Sequence, residues 1–111
     1  MLLKKMSDQD FEDRTHTLYQ KVMGAFDGVD PDLAEVFFHL DNITITFADK
    51  TKFIINRQPP SQQIWLATKT QGLHFDFDPQ QGKWIHSKTG DEFFSTLKKN
   101  VEQYTKQQVN F

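Results

Sequence analysis

The chain has 111 residues, a formal net charge of −2 and no cysteine. This length suits one domain with a single core, and the lack of cysteine excludes a disulfide, a thiolate nucleophile and a cysteine-held iron–sulfur cluster within the chain. The chain begins with MLLKK, which is too short and too weakly apolar to indicate a signal peptide or a membrane span. We therefore expect a soluble, cytoplasmic, single-domain protein, in which residues 1–6 are disordered or form an N-terminal extension.

The charge is distributed unevenly along the chain. Residues 7–41 carry nine acidic and two basic side chains, a formal charge of −7, whereas residues 50–111 carry nine basic and five acidic side chains. A surface with this polarity indicates a cationic partner at the acidic end and argues against nucleic-acid binding through that end.

The first predicted element is a helix over residues 8–26. Ser7, with Asp10 three residues later, resembles a capping box, and Gly28 followed by Asp30-Pro31 ends the pattern in a turn. The inward positions fall at helical spacing, with Thr15 in the place of one apolar residue: Phe11, Thr15, Leu18, Val22 and Phe26.

Six short segments follow, separated by connectors of only a few residues. Alternating apolar and polar side chains and turn residues at such spacing are typical of a meandering antiparallel sheet. The predicted strands cover residues 34–40, 43–48, 51–57, 63–68, 72–77 and 82–87.

A second helix is predicted over residues 91–106, and the tail Val109–Phe111 is expected to pack back on the helices. Its apolar stripe consists of Phe93, Phe94, Leu97, Val101 and Tyr104. Two helices with six strands between them predict an α+β fold, a two-layer sandwich in which the N- and C-terminal helices pack on one face of a roughly six-stranded antiparallel sheet.

The strand at 63–68 places a tryptophan on the polar face of this sheet. Ile64 and Leu66 share one face, so Gln63 and Trp65 must share the other. We expect Trp65 to be largely exposed on the open face beside Gln63 and Arg57, where a large aromatic side chain is typical of a protein contact point. Cover by its own neighbouring strands is the alternative, because single surface aromatics are common.

Carboxylates cluster on the first helix. Asp8, Glu12 and His16 fall on one helical face, with Asp10 and Asp13 beside them. Repulsion between clustered carboxylates favours a hard cation such as iron, manganese or calcium. Acidic residues in a first turn are also stabilised by the helix dipole without any metal, so both interpretations stay open.

A second acidic set surrounds the turn into the first strand and consists of Asp27, Asp30, Asp32 and Glu35. Exposed carboxylates of this kind hold cations weakly, at roughly micromolar to millimolar strength, and select poorly among metals. By contrast, His39, His74 and His86 lie on separate strands and are expected to be ordinary sheet residues. Without a phosphate loop or histidines at ligand spacing, we expect a binding protein and not an enzyme.

One stretch carries a family resemblance. Asn56-Arg57-Gln58-Pro59, then Gln63-Ile64-Trp65-Leu66-Ala67-Thr68-Lys69 and Gly72-Leu73-His74-Phe75, resemble the signature of the frataxin family in its bacterial form. The order of acidic helix, antiparallel strands and closing helix is similar too, from about Met6 onward.

The resemblance implies an iron-binding accessory protein, an iron chaperone and regulator of iron–sulfur cluster assembly. It implies weakly bound Fe²⁺ or Fe³⁺, with other divalent or trivalent cations accepted, on an acidic ridge that docks on a cysteine desulfurase and its scaffold protein. It also implies partner contacts by Asn56, Arg57, Gln63 and Trp65. We define the acidic ridge by its predicted metal ligands: Asp8, Glu12, Asp13, Asp27, Asp30, Asp32 and Glu35.

The ridge is thinner than in bacterial relatives, which tend to carry acids densely through the end of helix one and along the first strand. Residues 23–25 and 36–38 here are Met-Gly-Ala and Val-Phe-Phe. We expect a monomer, with metal-dependent oligomers open, and neither nucleic acid nor membrane as a partner. Two alternatives remain: a protein-interaction module whose metal binding is incidental, and an iron-oxidising enzyme, for which helix two lacks the Glu/His set of a di-iron site.

Overall fold

The computed structural model describes residues 6–111. The expected disorder or extension at residues 1–6 falls outside these residues except at Met6. The Met6 amide donates to Gln62 Oε1 at 3.0 Å, and the Met6 carbonyl accepts from Gln62 Nε2 at 2.7 Å. This pair of bonds joins the start of the first helix to the loop between the third and fourth strands.

The described residues form two helices and six strands. No helix among them is long and apolar enough to cross a membrane. In chain order the elements are α1 (Asp8–Ala25), β1 (Ala34–His39), β2 (Asn42–Phe47), β3 (Lys52–Gln58), β4 (Gln63–Ala67), β5 (Gly72–Asp78), β6 (Lys83–His86) and α2 (Phe93–Thr105).

The strands form one antiparallel sheet in chain order, with β1 and β6 at its edges. Both helices pack on the same face: Phe11 of α1 lies edge-on to Trp84 of β6, and Phe93 of α2 lies edge-on to Phe75 of β5. The predicted two-layer α+β sandwich is confirmed.

The core lies between the sheet and the helices because the strands alternate as their sequence predicts. Ile43, Ile45 and Phe47 of β2 are buried, as are Ile64 and Leu66 of β4. The helices contribute their predicted stripes, and Thr15 is fully buried, where its hydroxyl donates to the Phe11 carbonyl at 2.8 Å. A hydrogen bond within the helix compensates the cost of desolvating this buried hydroxyl, which explains how a threonine is tolerated in an apolar stripe.

A two-residue hairpin joins β1 to β2. Its central residues, Leu40 and Asp41, have φ of 48° and 67°, the left-handed values that match the twist of such hairpins. Asp41 is thereby fixed at the tip of the first two strands.

Helix α2 begins two residues later than predicted because Glu92 acts as its N-cap. The Glu92 carboxylate accepts from the amides of Phe94 and Ser95 at 2.7 and 3.0 Å. The tail returns as expected: Val109 is buried, and its amide donates to Glu102 at 2.8 Å.

Candidate functional site

Helix α1 presents the first half of the acidic ridge. Ser7 caps the helix, and its hydroxyl accepts from the Asp10 amide at 3.0 Å. Asp8, Glu12 and Asp13 are exposed, and Asp13 accepts from Gln9 Nε2 at 2.9 Å. Half of the predicted capping box is therefore present, and the helix carboxylates lie in solvent.

Glu12 is engaged in an ion pair that the sequence did not suggest. Its carboxylate lies 3.0 Å from Arg57 Nη1. The same nitrogen donates to the Thr15 hydroxyl at 3.0 Å. A cation at Glu12 must therefore compete with a guanidinium.

Arg57 lies on the helical side of the sheet, so the prediction that it shares the open face with Trp65 is wrong. Arg57 has the same parity along β3 as the buried Ile55, and a strand turns such residues to one face. Its guanidinium donates to both carboxylate oxygens of Asp41, at 2.7 and 3.2 Å, and its side chain is only 14% exposed. The hydrogen bond to Asp41 raises the pKa of Arg57.

Tyr19 of α1 also contacts the pair formed by Arg57 and Asp41. Its hydroxyl donates to the Asp41 carbonyl at 2.7 Å, and its ring lies 5.7 Å from the Arg57 guanidinium. Burial raises the pKa of Tyr19 to about 12, Asp41 adds to the increase, and Arg57 opposes it. Tyr19, Arg57 and Asp41 thus connect α1, β3 and the β1–β2 hairpin beside the ridge.

The second half of the ridge lies in the turn before β1 and at the start of that strand. Asp27, Asp30, Asp32 and Glu35 are all exposed. The Asp30 carboxylate accepts from the Asp32 amide at 2.9 Å, a local turn that fixes the orientation of the Asp30 side chain. Among residues 6–111 no group of three or more His, Asp or Glu side chains is arranged to hold a metal. The ridge offers solvated oxygen ligands and not an enclosed site.

Trp65 lies on the open face, as its parity predicts, but only partly exposed, so the prediction of a largely exposed indole is wrong in degree. Its ring stacks on His74 of β5, with centroids 4.2 Å apart and planes at 7°, and its Nε1 donates to Gln63 Oε1 at 2.9 Å. His74 of the neighbouring strand therefore covers one face of the ring.

Polar side chains extend this surface on both sides of Trp65. Asn56 is its cross-strand neighbour on β3 and accepts from Gln58 at 2.9 Å. Gln63 donates to Asp76 of β5 at 3.2 Å. We call Asn56, Gln63, Trp65 and His74 the tryptophan face.

Two features of these surfaces were missed in the sequence. The parity of β5 predicts that His74 points outward, but the sequence did not suggest that its ring stacks on Trp65. The hairpin strand β1 exposes large apolar side chains next to the ridge: Phe37 is 64% exposed, Phe38 49% and Leu40 80%.

Comparison with known proteins is consistent with this geometry. The frataxin-like domain family matches residues 4–107. The iron–sulfur cluster assembly protein CyaY of Psychromonas ingrahamii is 36% identical over 108 residues, which are 96% of this chain and 98% of that protein.

Solved structures agree. The frataxin of Psychromonas ingrahamii superimposes with a TM-score of 0.85 at 36% identity, over 95% of this chain and 97% of that one. Trimeric frataxin from Saccharomyces cerevisiae, solved in complex with ferrous iron, gives a TM-score of 0.63 at 23% identity, over 96% and 92% of the two chains; that likeness shows the fold alone. The chain belongs to the frataxin family.

Proposed function

We propose that this protein acts in iron–sulfur cluster assembly, as a cytoplasmic accessory protein that docks on a cysteine desulfurase and its scaffold and presents weakly held iron to them. The observation that carries the proposal is the exposure of all seven ridge carboxylates on a segment of formal charge −7. The relative from Psychromonas ingrahamii, named as an iron–sulfur cluster assembly protein, supports the pathway.

The ridge suits a loosely bound cargo. Its donors are carboxylate oxygens, which bind both Fe²⁺ and Fe³⁺. Because few protein ligands converge on one point, water would complete the coordination of the ion. Asp27, Asp30, Asp32 and Glu35 are the better donors, since Glu12 is paired with Arg57. Weak binding allows the ion to leave for a stronger thiolate site.

The tryptophan face would supply a second contact. Trp65 offers an aromatic surface held rigid by His74 and Gln63, and rigid aromatics at the centre of a contact are typical binding hot spots. Asn56 and Gln63 would form its polar rim. Arg57 would act indirectly, by holding the hairpin and α1 in place.

In this proposal the protein binds and does not catalyse. When the protein is mixed with Fe²⁺ and oxygen, Fe²⁺ should be oxidised no faster than in a protein-free buffer with the same concentration of free Fe²⁺. Oxidation with many turnovers per protein would instead favour an iron-oxidising enzyme.

The test of the docking role is affinity for the desulfurase–scaffold complex of the same organism, measured anaerobically with and without Fe²⁺. We expect binding in both conditions and weaker binding of D27K/D30K/D32K. If Fe²⁺ does not change the affinity, and the chain binds no Fe²⁺ in the complex, the protein is better explained as a protein-interaction module whose metal binding is incidental. A wild-type chain that fails to bind would contradict the proposal.

A further inference from the structure

Among the described residues, strand β1 is an edge of the sheet on which no further strand pairs, and part of its backbone can still form hydrogen bonds. In the two-residue hairpin His39 and Asn42 form the closing pair, so residues 35, 37 and 39 direct their backbone groups to β2. The Phe47 amide, opposite Ala34, donates away from β1 to Thr51 at 2.9 Å, which agrees with this alternation. Val36 and Phe38 therefore direct their N–H and C=O groups outward.

Within residues 6–111, this edge lacks most of the features that usually protect one. Edge strands are commonly blocked by charged side chains, lysine above all, by proline, by a bulge or by a covering segment, and the one charged side chain of β1 is Glu35, near its start. β1 reads Ala-Glu-Val-Phe-Phe-His, and Phe37, Phe38 and Leu40 are exposed. At the opposite edge, Ile85 of β6 is bridged by Glu92. Among residues 6–111, therefore, the β6 edge is partly covered and the β1 edge is open.

A cleft lies beside the edge on its helical side. It has a volume of about 390 Å³ between α1 and β1 and is lined by His16, Tyr19, Gln20, Met23, Phe38 and Arg57. Phe37 lies on the other side of the strand. Because successive side chains of a strand alternate, an added strand would place one apolar side chain in the cleft and the next against Phe37.

The charge around the edge selects the occupant. Asp30 and Asp32 precede β1, Glu35 lies within it, and Asp41 follows it. If β1 of a second copy paired with this β1 so that the two Phe37 residues were opposite each other, Asp32 of one copy would lie beside Asp41 of the other. The two acidic ridges would then repel each other. A segment with basic ends is attracted at both ends of the strand.

We propose that β1 accepts an extended segment of the partner as a seventh strand, with apolar residues at its centre and lysine or arginine at its ends. Strand addition supplies affinity through main-chain hydrogen bonds and specificity through alternate side chains. This inference rests on the proposed function, because the segment is taken to belong to the desulfurase–scaffold complex.

The test is residue-specific amide exchange in the wild-type chain, free and bound to that complex. Val36 and Phe38 should gain strong protection on binding, while Phe37, already bonded to β2, should change little. A complex that forms without protection of Val36 and Phe38 would overturn the inference, and so would a free chain that dimerises with both already protected.

A matched pair of variants gives a second readout. Val36→Pro removes an outward N–H, which edge strands tolerate, and changes a partly buried side chain, whereas Val36→Thr keeps that N–H and the branched shape. With folding confirmed from the amide spectrum, we expect the affinity of V36P to fall by about tenfold or more and that of V36T to stay near wild type.

The two proposals fail in different ways. If V36P binds as tightly as wild type while D27K/D30K/D32K binds weakly, strand addition is wrong and docking by the ridge stands. If the wild-type chain does not bind the complex, both are contradicted.

Discussion

Arg57 of β3 donates two hydrogen bonds to the carboxylate of Asp41 at the β1–β2 hairpin, from Nη2 to Oδ1 at 2.7 Å and from Nε to Oδ2 at 3.2 Å. The remaining nitrogen of the guanidinium reaches Glu12 and Thr15 of α1 at 3.0 Å. One side chain therefore joins the hairpin, the sheet and the acidic helix.

Replacing the guanidinium of Arg57 by an ammonium group should lower the stability of the protein. Arg57→Lys keeps the charge but cannot bond all three partners at once, so we expect the free energy of unfolding to fall by about 1–2 kcal/mol, a figure kept low because both carboxylates are more than half exposed. Arg14→Lys, the same change on the exposed side of α1, loses the guanidinium that lies 4.2 Å from the Phe77 ring centroid and should cost less, about 0.5–1 kcal/mol. Urea unfolding measures both, and equal losses would contradict a special role for Arg57.

Trp65→Ala should separate binding from folding. Loss of the stacked pair with His74 should lower the free energy of unfolding by about 1 kcal/mol, whereas loss of a hot-spot aromatic should cost about 2 kcal/mol or more in binding. Trp65→Phe keeps a ring on His74 and should restore most of the affinity. Wild-type affinity in W65A would remove the tryptophan face from the interface.

Local sequence patterns predicted the fold well, but they could not predict contacts between side chains that lie far apart in the sequence. Alternation placed Ile64 and Trp65 on the correct faces, and helical spacing identified even Thr15. Parity with Ile55 would have placed Arg57 on the helical side, but the family resemblance grouped it with Trp65 instead. The contacts of Arg57 with Asp41 and Glu12 depend on how α1 crosses the sheet, which no local pattern encodes.

Tyr19 should make the protein less stable in alkaline solution. Its pKa is about 12 in the folded protein and about 10 in an unfolded chain, so the folded state keeps a proton that the unfolded state loses. The free energy of unfolding should therefore fall as pH rises from about 10 to about 12 and be unaffected by this group below about 10.

Urea unfolding of Tyr19→Phe over the same pH range is the check. Below pH of about 10 the variant should be less stable by about 1 kcal/mol, since the bond to the Asp41 carbonyl is lost. Above pH of about 10 its stability should fall less steeply than that of the wild type, so the difference should narrow. Parallel curves for the two proteins would contradict the assignment.

Metal should bind at the ridge and leave the strand histidines unaffected. Titration with Fe²⁺, Co²⁺ or a trivalent lanthanide should perturb the amides around Asp27, Asp30 and Asp32, with a Kd in the range of roughly micromolar to millimolar. Asp30→Asn with Asp32→Asn should weaken this response and preserve the turn, because asparagine makes the same local bonds. Perturbations centred on His74 or His86 would place the metal elsewhere.

The most direct test of the central claim is the affinity of the chain for the desulfurase–scaffold complex as a function of salt, for wild type and two variants of equal net charge. D27N/D30N/D32N removes ridge charge, and Q71K/Q103K/Q107K adds the same charge at exposed positions outside the ridge. We expect wild-type affinity to fall steeply between about 0.05 and about 0.5 M salt, and the ridge variant to bind about tenfold more weakly than the glutamine variant. An affinity that is flat with salt, or equal weakening in the two variants, would contradict docking through the acidic ridge.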